Sequence, residues 1–160
     1  MPGKQHSVEL QKDSMKATPN RTGHEITALH GLILSQRSTA LMANLETKPG
    51  ATVKPLFPPR ASRPNVLIYK VMEKMFAIMS IRGKEGVILK CDPELVPFLR
   101  EKYEGVGHRS HLDPRHWISV RLDADVPDDE VERLVIHSYE LVCSKLTRRQ
   151  KAALAALSTS

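Results

Sequence analysis

Between Ser110 and Val120 the chain reads SHLDPRHWISV. Two imidazoles (His111, His116), a carboxylate (Asp113), a guanidinium (Arg115) and the single tryptophan, Trp117, fall close together there. These types suit recognition of nucleic acid. A guanidinium forks two donors toward one phosphate or base edge, imidazoles donate hydrogen bonds, and an indole can stack on a base. The plain reading of the same residues is structural. Asp113-Pro114 marks a turn that His111 and Asp113 would hold through backbone hydrogen bonds, and Trp117, the largest side chain, would pack in the core. For Arg115 and the two histidines both readings stay open.

Two other chemistries are weaker. His108, His111 and His116 follow an H-x2-H-x4-H spacing. A metal ion wants three or four donors converging on one point, and this spacing matches no established signature. The crowd of acids from Asp123 to Glu132 is what a helix N-terminus favours through its dipole. No metal and no cofactor are therefore expected. Ser110, His111 and Asp113 are the types of a hydrolytic triad, but triad partners meet through folding and not through adjacency. There is no P-loop, dinucleotide fingerprint or zinc-protease motif. The expected role is non-enzymatic.

A second set of candidates is basic. Lys70, Lys74, Arg82, Lys84 and Lys90 fall in residues 54–90, which carry eight bases and two acids. Residues 92–140 carry six bases and twelve acids, and the last twenty residues carry four bases and no acid. The formal net charge is +6. Such a bipolar chain suits an anionic partner met on one side only. Lys70, Lys74, Arg82 and Lys84, with Arg109, His111, Arg115 and His116, are the candidate contacts to DNA backbone phosphates. Contacts of that kind position without reading sequence and loosen with salt. The alternative is a protein-interaction module steered by the same bipolar charge, with contacts in the Pro-rich 55–64 segment or the tail. The bland reading of the lysines is a solvated sheet face. Lys145, Arg148, Arg149 and Lys151 could also touch nucleic acid, but read most simply as cations at a helix C-terminus.

The elements that must position these groups follow from pattern. Residues 1–23 lack apolar periodicity and read as a disordered tail. Residues 24–46 are helical with a weak spot at Ser35 to Thr39, so two helices are possible, and Met42 offers an alternative start. Pro55, Pro58, Pro59 and Pro64 make the next stretch irregular or an edge. Three strands, Val66 to Val71, Lys74 to Ile81 and Gly86 to Cys91, form an antiparallel meander. A helix starts at Asp92-Pro93-Glu94, a strand at Trp117, and a long helix near Asp125 to Glu130. Ala152 to Leu157 adds a last turn. The expected fold is α+β, an antiparallel sheet with helices packed on one face. Cys91 and Cys143 have no CxxC spacing and read as free thiols in a reducing cytoplasm. No apolar run approaches the roughly 20 residues that span a bilayer, and no signal-peptide core is present. A cytoplasmic protein without a membrane role is expected.

KMFAIMS (74–80), ILKCDPE (88–94), LREKYEGV (99–106), HLDPRHWISVRLD (111–123) and SYELV (138–142) occur in the order and spacing of the MmcQ/YjbR family. With Pro49-Gly50-Ala51, the resemblance covers about residues 38–150. It implies a CyaY-like, frataxin-like fold and a DNA-binding role through a double-wing arrangement of hairpins. Two departures stand out. Met72-Glu73 replaces the family's usual Gly-Gly turn, placing an acid at a hairpin tip, and GHRS (107–110) replaces a usual Pro-Gly-Tyr. The expected organisation is a partly disordered extension over 1–37, the domain over 38–153 and a tail over 154–160.

Overall fold

The computed structural model describes residues 21–29, 31–57 and 65–158. Expectations for residues 1–20, for Pro58, Pro59 and Pro64, and for the last two residues lie outside them. The described chain runs α1 (Gly23–Leu29), α2 (Gln36–Glu46), β1 (Ala51–Leu56), β2 (Val66–Val71), β3 (Lys74–Ser80), β4 (Gly86–Lys90), α3 (Val96–Lys102), β5 (Val106–Gly107), β6 (Trp117–Arg121), α4 (Asp128–Ser144) and α5 (Arg148–Ser158). The strands form one sheet in the order β1-β2-β3-β4-β6-β5. Every neighbouring pair is antiparallel. This is the expected α+β fold.

Strand parity decides which face each side chain takes. Leu67, Tyr69 and Val71 of β2, Met79 of β3, Val87 and Leu89 of β4, and Ile118 and Val120 of β6 are buried under the helices. Helix α4 supplies the lid. Its Val131, Leu134, Val135, Ser138 and Val142 recur at helical spacing on one face, and all are buried. Three acids in its first turn, Asp128, Asp129 and Glu130, match the helix dipole. Val96, Leu99 and Tyr103, on and just after α3, join the same core.

One irregularity ties the lid to the sheet. The β2–β3 register shifts between Tyr69 and Lys70, so Phe76 and Ala77 of β3 are both buried. The β3–β4 pairing starts at Ala77 and Leu89, so the Phe76 carbonyl and the Lys90 N–H lie just beyond it. Ser138 of α4 serves both: its hydroxyl donates to the Phe76 oxygen at 2.6 Å and accepts from the Lys90 nitrogen at 2.9 Å.

Several boundaries differ from the sequence expectation. The N-terminal segment is two helices, as its weak spot allowed, but the break falls before Ser35, which caps α2 by accepting from the Ser38 N–H. Helix α1 packs on the domain rather than extending from it: Ile26 and Thr27 are buried, and the Gly23 N–H donates to Glu46 at 2.7 Å. Residues 51–56 pair with β2 as an edge strand that contains Pro55. Asp92 does not cap α3. Its carboxylate accepts from the Glu94 N–H and its carbonyl from the Leu95 N–H, which forms a separate turn before a helix that begins at Val96. The long helix ends at Ser144, and Arg148, Arg149 and Lys151 stand in the first turn of a separate α5, not at a C-terminus. A reciprocal pair starts that helix: the Gln150 N–H donates to the Thr147 hydroxyl and the Thr147 N–H to the Gln150 side chain. The bound expected at residue 153 therefore falls inside a helix.

Candidate nucleic-acid interface

The face of the sheet away from the helices carries Thr52, Lys54 and Leu56 of β1, Val66, Ile68 and Lys70 of β2, and Met75, Ile78 and Ser80 of β3. Gly86, Ile88 and Lys90 of β4 and Trp117, Ser119 and Arg121 of β6 complete it. Four strand positions on this face are basic, Lys54, Lys70, Lys90 and Arg121, and none is acidic. A row of half-buried isoleucines, Ile68, Ile78 and Ile88, crosses its middle.

The candidate residues fall into two groups at opposite ends of β3. Lys70 and Lys74 flank the β2–β3 turn, whereas Arg82 and Lys84 lie in the β3–β4 turn at the other end. The two hairpin tips cannot enter one groove side by side, so the double-wing expectation does not describe how these four residues sit. Arg82 is half-buried and Lys84 exposed. Lys84 shares its end of the sheet with Arg109 and Arg121, and these three line a small recess with Ser80 and Ser119. Arg109 is held there because its N–H donates to the Ser119 hydroxyl at 2.7 Å. Arg121 forks onto Asp123 at 3.1 and 3.2 Å. That pair pushes the arginine pKa up and the Asp123 pKa down.

The HLDPRHW loop reaches the opposite end. Asp113 organises it: one carboxylate oxygen accepts from the Arg115 N–H at 3.0 Å, and the other meets His116 Nδ1 at 2.9 Å. Its carbonyl accepts from the His116 and Trp117 N–H groups. These bonds to the charged form hold its carboxyl well below the ordinary 3.8, at about 2. Arg115 projects with 79% of its side chain exposed, and His111 is exposed. His116 turns back toward the sheet. With Lys90, Lys145 and Asp92 it lines a cleft of about 350 Å³ between the end of β4 and the end of α4. The Cys91 thiol, also in that cleft, is pushed up to about 11 by burial and by Asp92, so it stays protonated at neutral pH.

Trp117 is not in the core. It lies half-buried on the open face opposite Lys90, because the inward positions of β6 belong to Ile118 and Val120. His108 Nε2 contacts the Leu112 carbonyl at 2.6 Å, which commits it to the loop. No three His, Cys, Asp or Glu side chains among the described residues converge as a metal site. Ser110 accepts from the Leu112 N–H and Asp113 faces Arg115 and His116, so Ser110, His111 and Asp113 form no relay.

Sequence reading missed Lys54, because β1 hides behind Pro55, and it missed Arg121. The signal for Arg121 was available: strict alternation from Trp117 to Leu122 puts it on the same face as Ser119.

Comparison with known proteins agrees with this architecture. The YjbR family profile matches residues 46–141. The uncharacterized protein YjbR of Escherichia coli K12 is 33% identical over 89 residues, 55% of this chain and 75% of that protein. The uncharacterized protein YyaQ of Bacillus subtilis is 38% identical over 53 residues, 33% of this chain and 44% of that protein. The crystal structure of Deinococcus radiodurans protein DR2400 superposes with a TM-score of 0.64 at 27% identity, covering 76% of this chain and 92% of that one. A Pseudomonas syringae protein shares the fold, with a TM-score of 0.54 at 22% identity over 68% of this chain and 99% of its own. The chain belongs to the YjbR family.

Proposed function

We propose that this protein is a non-enzymatic, cytoplasmic DNA-binding protein that docks duplex backbone phosphates on the open face of its sheet. The observation that carries the reading is the charge of the open strand face. Its strand positions hold four bases and no acid. Helix α4 on the other side carries five acids, Asp128, Asp129, Glu130, Glu132 and Glu140, against one base, Arg133. A polyanion approaching the open face meets attraction, and one approaching α4 meets repulsion. Phosphate contacts alone imply weak, sequence-tolerant binding, with Kd of roughly 10⁻⁴–10⁻⁶ M at physiological salt.

Fluorescence anisotropy of a labelled duplex tests this, with the wild-type protein at two salt concentrations beside Lys70→Glu/Lys90→Glu. The expected result is binding that weakens with salt and is lost in the folded variant. A wild-type protein that leaves the duplex free at low salt would overturn the reading.

The isoleucine row favours a second reading, a protein-interaction module seated on the same face. In that case association with the partner would survive high salt and fail in Ile78→Asp.

A further inference from the structure

We propose, resting on the DNA reading above, that the duplex is gripped at one end of the sheet, and that α5 is part of the grip. At that end Lys70 and Lys74 flank the β2–β3 turn, and Lys90, His116 and Lys145 line the cleft beside it. Three residues after Lys145, α5 begins with Arg148, Arg149 and an exposed Lys151. The structure fixes this helix against the turn. Leu154 lies where a Cβ on Gly50 would be, only 2.6 Å away, and the Gln150 amide reaches the Met72 carbonyl at 3.5 Å. The cations of α5 are thus carried to the edge of the hairpin.

Two facts point to a polyanion as the occupant. None of Lys70, Lys74, Lys90, Lys145, Arg148, Arg149 or Lys151 has a carboxylate partner among the described residues, whereas Arg37, Arg115, Arg121 and Arg133 all do. Cations in the first turn oppose the helix dipole, so folding alone does not favour them there. The acids nearby are Glu73 at the turn, Asp92 in the cleft, Asp113 beside His116 and Glu140 on α4, and Asp92 and Asp113 already accept from the Glu94 N–H and from Arg115 and His116. Seven bases against four acids leave the end positive. The opposite end differs, because Arg121 is neutralised by Asp123.

The test compares two charge reversals in the full chain, Arg148→Glu/Arg149→Glu/Lys151→Glu at this end and Lys84→Glu/Arg109→Glu at the other. Each is checked for folding by circular dichroism and titrated against a labelled duplex. The α5 variant is expected to bind at least ~10-fold more weakly. Its slope of log K against log salt should be shallower by roughly 2–3, about 0.9 for each lost phosphate contact. The other variant is expected to keep near wild-type slope. Wild-type binding with an unaffected α5 variant, or with the larger loss at Lys84 and Arg109, would overturn this inference and leave the DNA reading standing. Failure of the wild type to bind would overturn both. Should the α5 variant not fold, lysine acetylation of the wild-type protein with and without duplex decides. Protection of Lys74, Lys145 and Lys151 but not Lys84 supports the grip, and the reverse pattern removes it.

Discussion

Ser138 shows how much of this fold hangs on one hydroxyl. It is fully buried and serves a carbonyl and an N–H just beyond the end of the β3–β4 pairing. Ser138→Ala would leave both backbone groups dry and unpaired. A buried group left unsatisfied costs about 1–3 kcal/mol, so the variant should lose at least that range's middle, read as a lower midpoint in urea with unchanged m-value. Asp113 makes the complementary case at the surface. Its carboxyl titrates at about 2 instead of 3.8 because the fold bonds the charged form. A depressed carboxylate pKa contributes stability that is complete above the unfolded value and is lost as pH falls through the folded one. The loop should therefore hold its shape at pH 5 and loosen between about pH 4 and 2, followed by NMR at His116 and Trp117. Asp113→Asn should remove that transition.

At the scale of elements, the β2–β3 turn is the most improvable part of the chain. Met72 and Glu73 both take positive φ, 47° and 66°. Two-residue hairpin turns of this kind favour Gly or Asn, since a side chain in the left-handed region costs roughly 1–2 kcal/mol. Glu73 is exposed, and no hydrogen bond or ion pair to a described residue repays it. Glu73→Gly should raise stability by up to about 1 kcal/mol, after the extra flexibility of the unfolded chain is counted. If the adjacent end of the sheet meets phosphate, it should also tighten duplex binding by removing an acid. A variant that is more stable but binds no better would separate the turn from the interface. The meander around this turn was legible in sequence because β2, β3 and β4 alternate cleanly between turn signals. β1 was not, because Pro55 breaks its pattern, and β5 is too short, at two residues, to show any period. The break between α4 and α5 was hidden because apolar and basic residues continue across it, and only the Thr147–Gln150 pair marks a new start. Size misled at Trp117, where parity was the better guide: with Ile118 and Val120 inward, the tryptophan had to face out.

For the whole molecule, the placement of charge matters more than its sum. A net charge of +6 is mild for 160 residues. Sequence blocks already showed two signs, yet only the fold shows that the open-face strand positions hold bases without acids, while α4 on the other side carries five acids against one base. This arrangement separates long-range steering from contact. If a duplex docks on the open face, the acids of α4 repel it only weakly through the field and touch no phosphate. Glu132→Gln with Glu101→Gln, both exposed, should therefore raise affinity only slightly at low salt and leave the salt slope unchanged. Lys70→Gln with Lys90→Gln, also a change of two charges, should flatten the slope by roughly 1.8, about 0.9 for each contact. Equal and opposite changes in net charge would then give unequal responses, measured by anisotropy over a salt series. Slopes that shift alike in the two variants would mean that the duplex senses total charge alone, and that the open face of the sheet is not a docking surface.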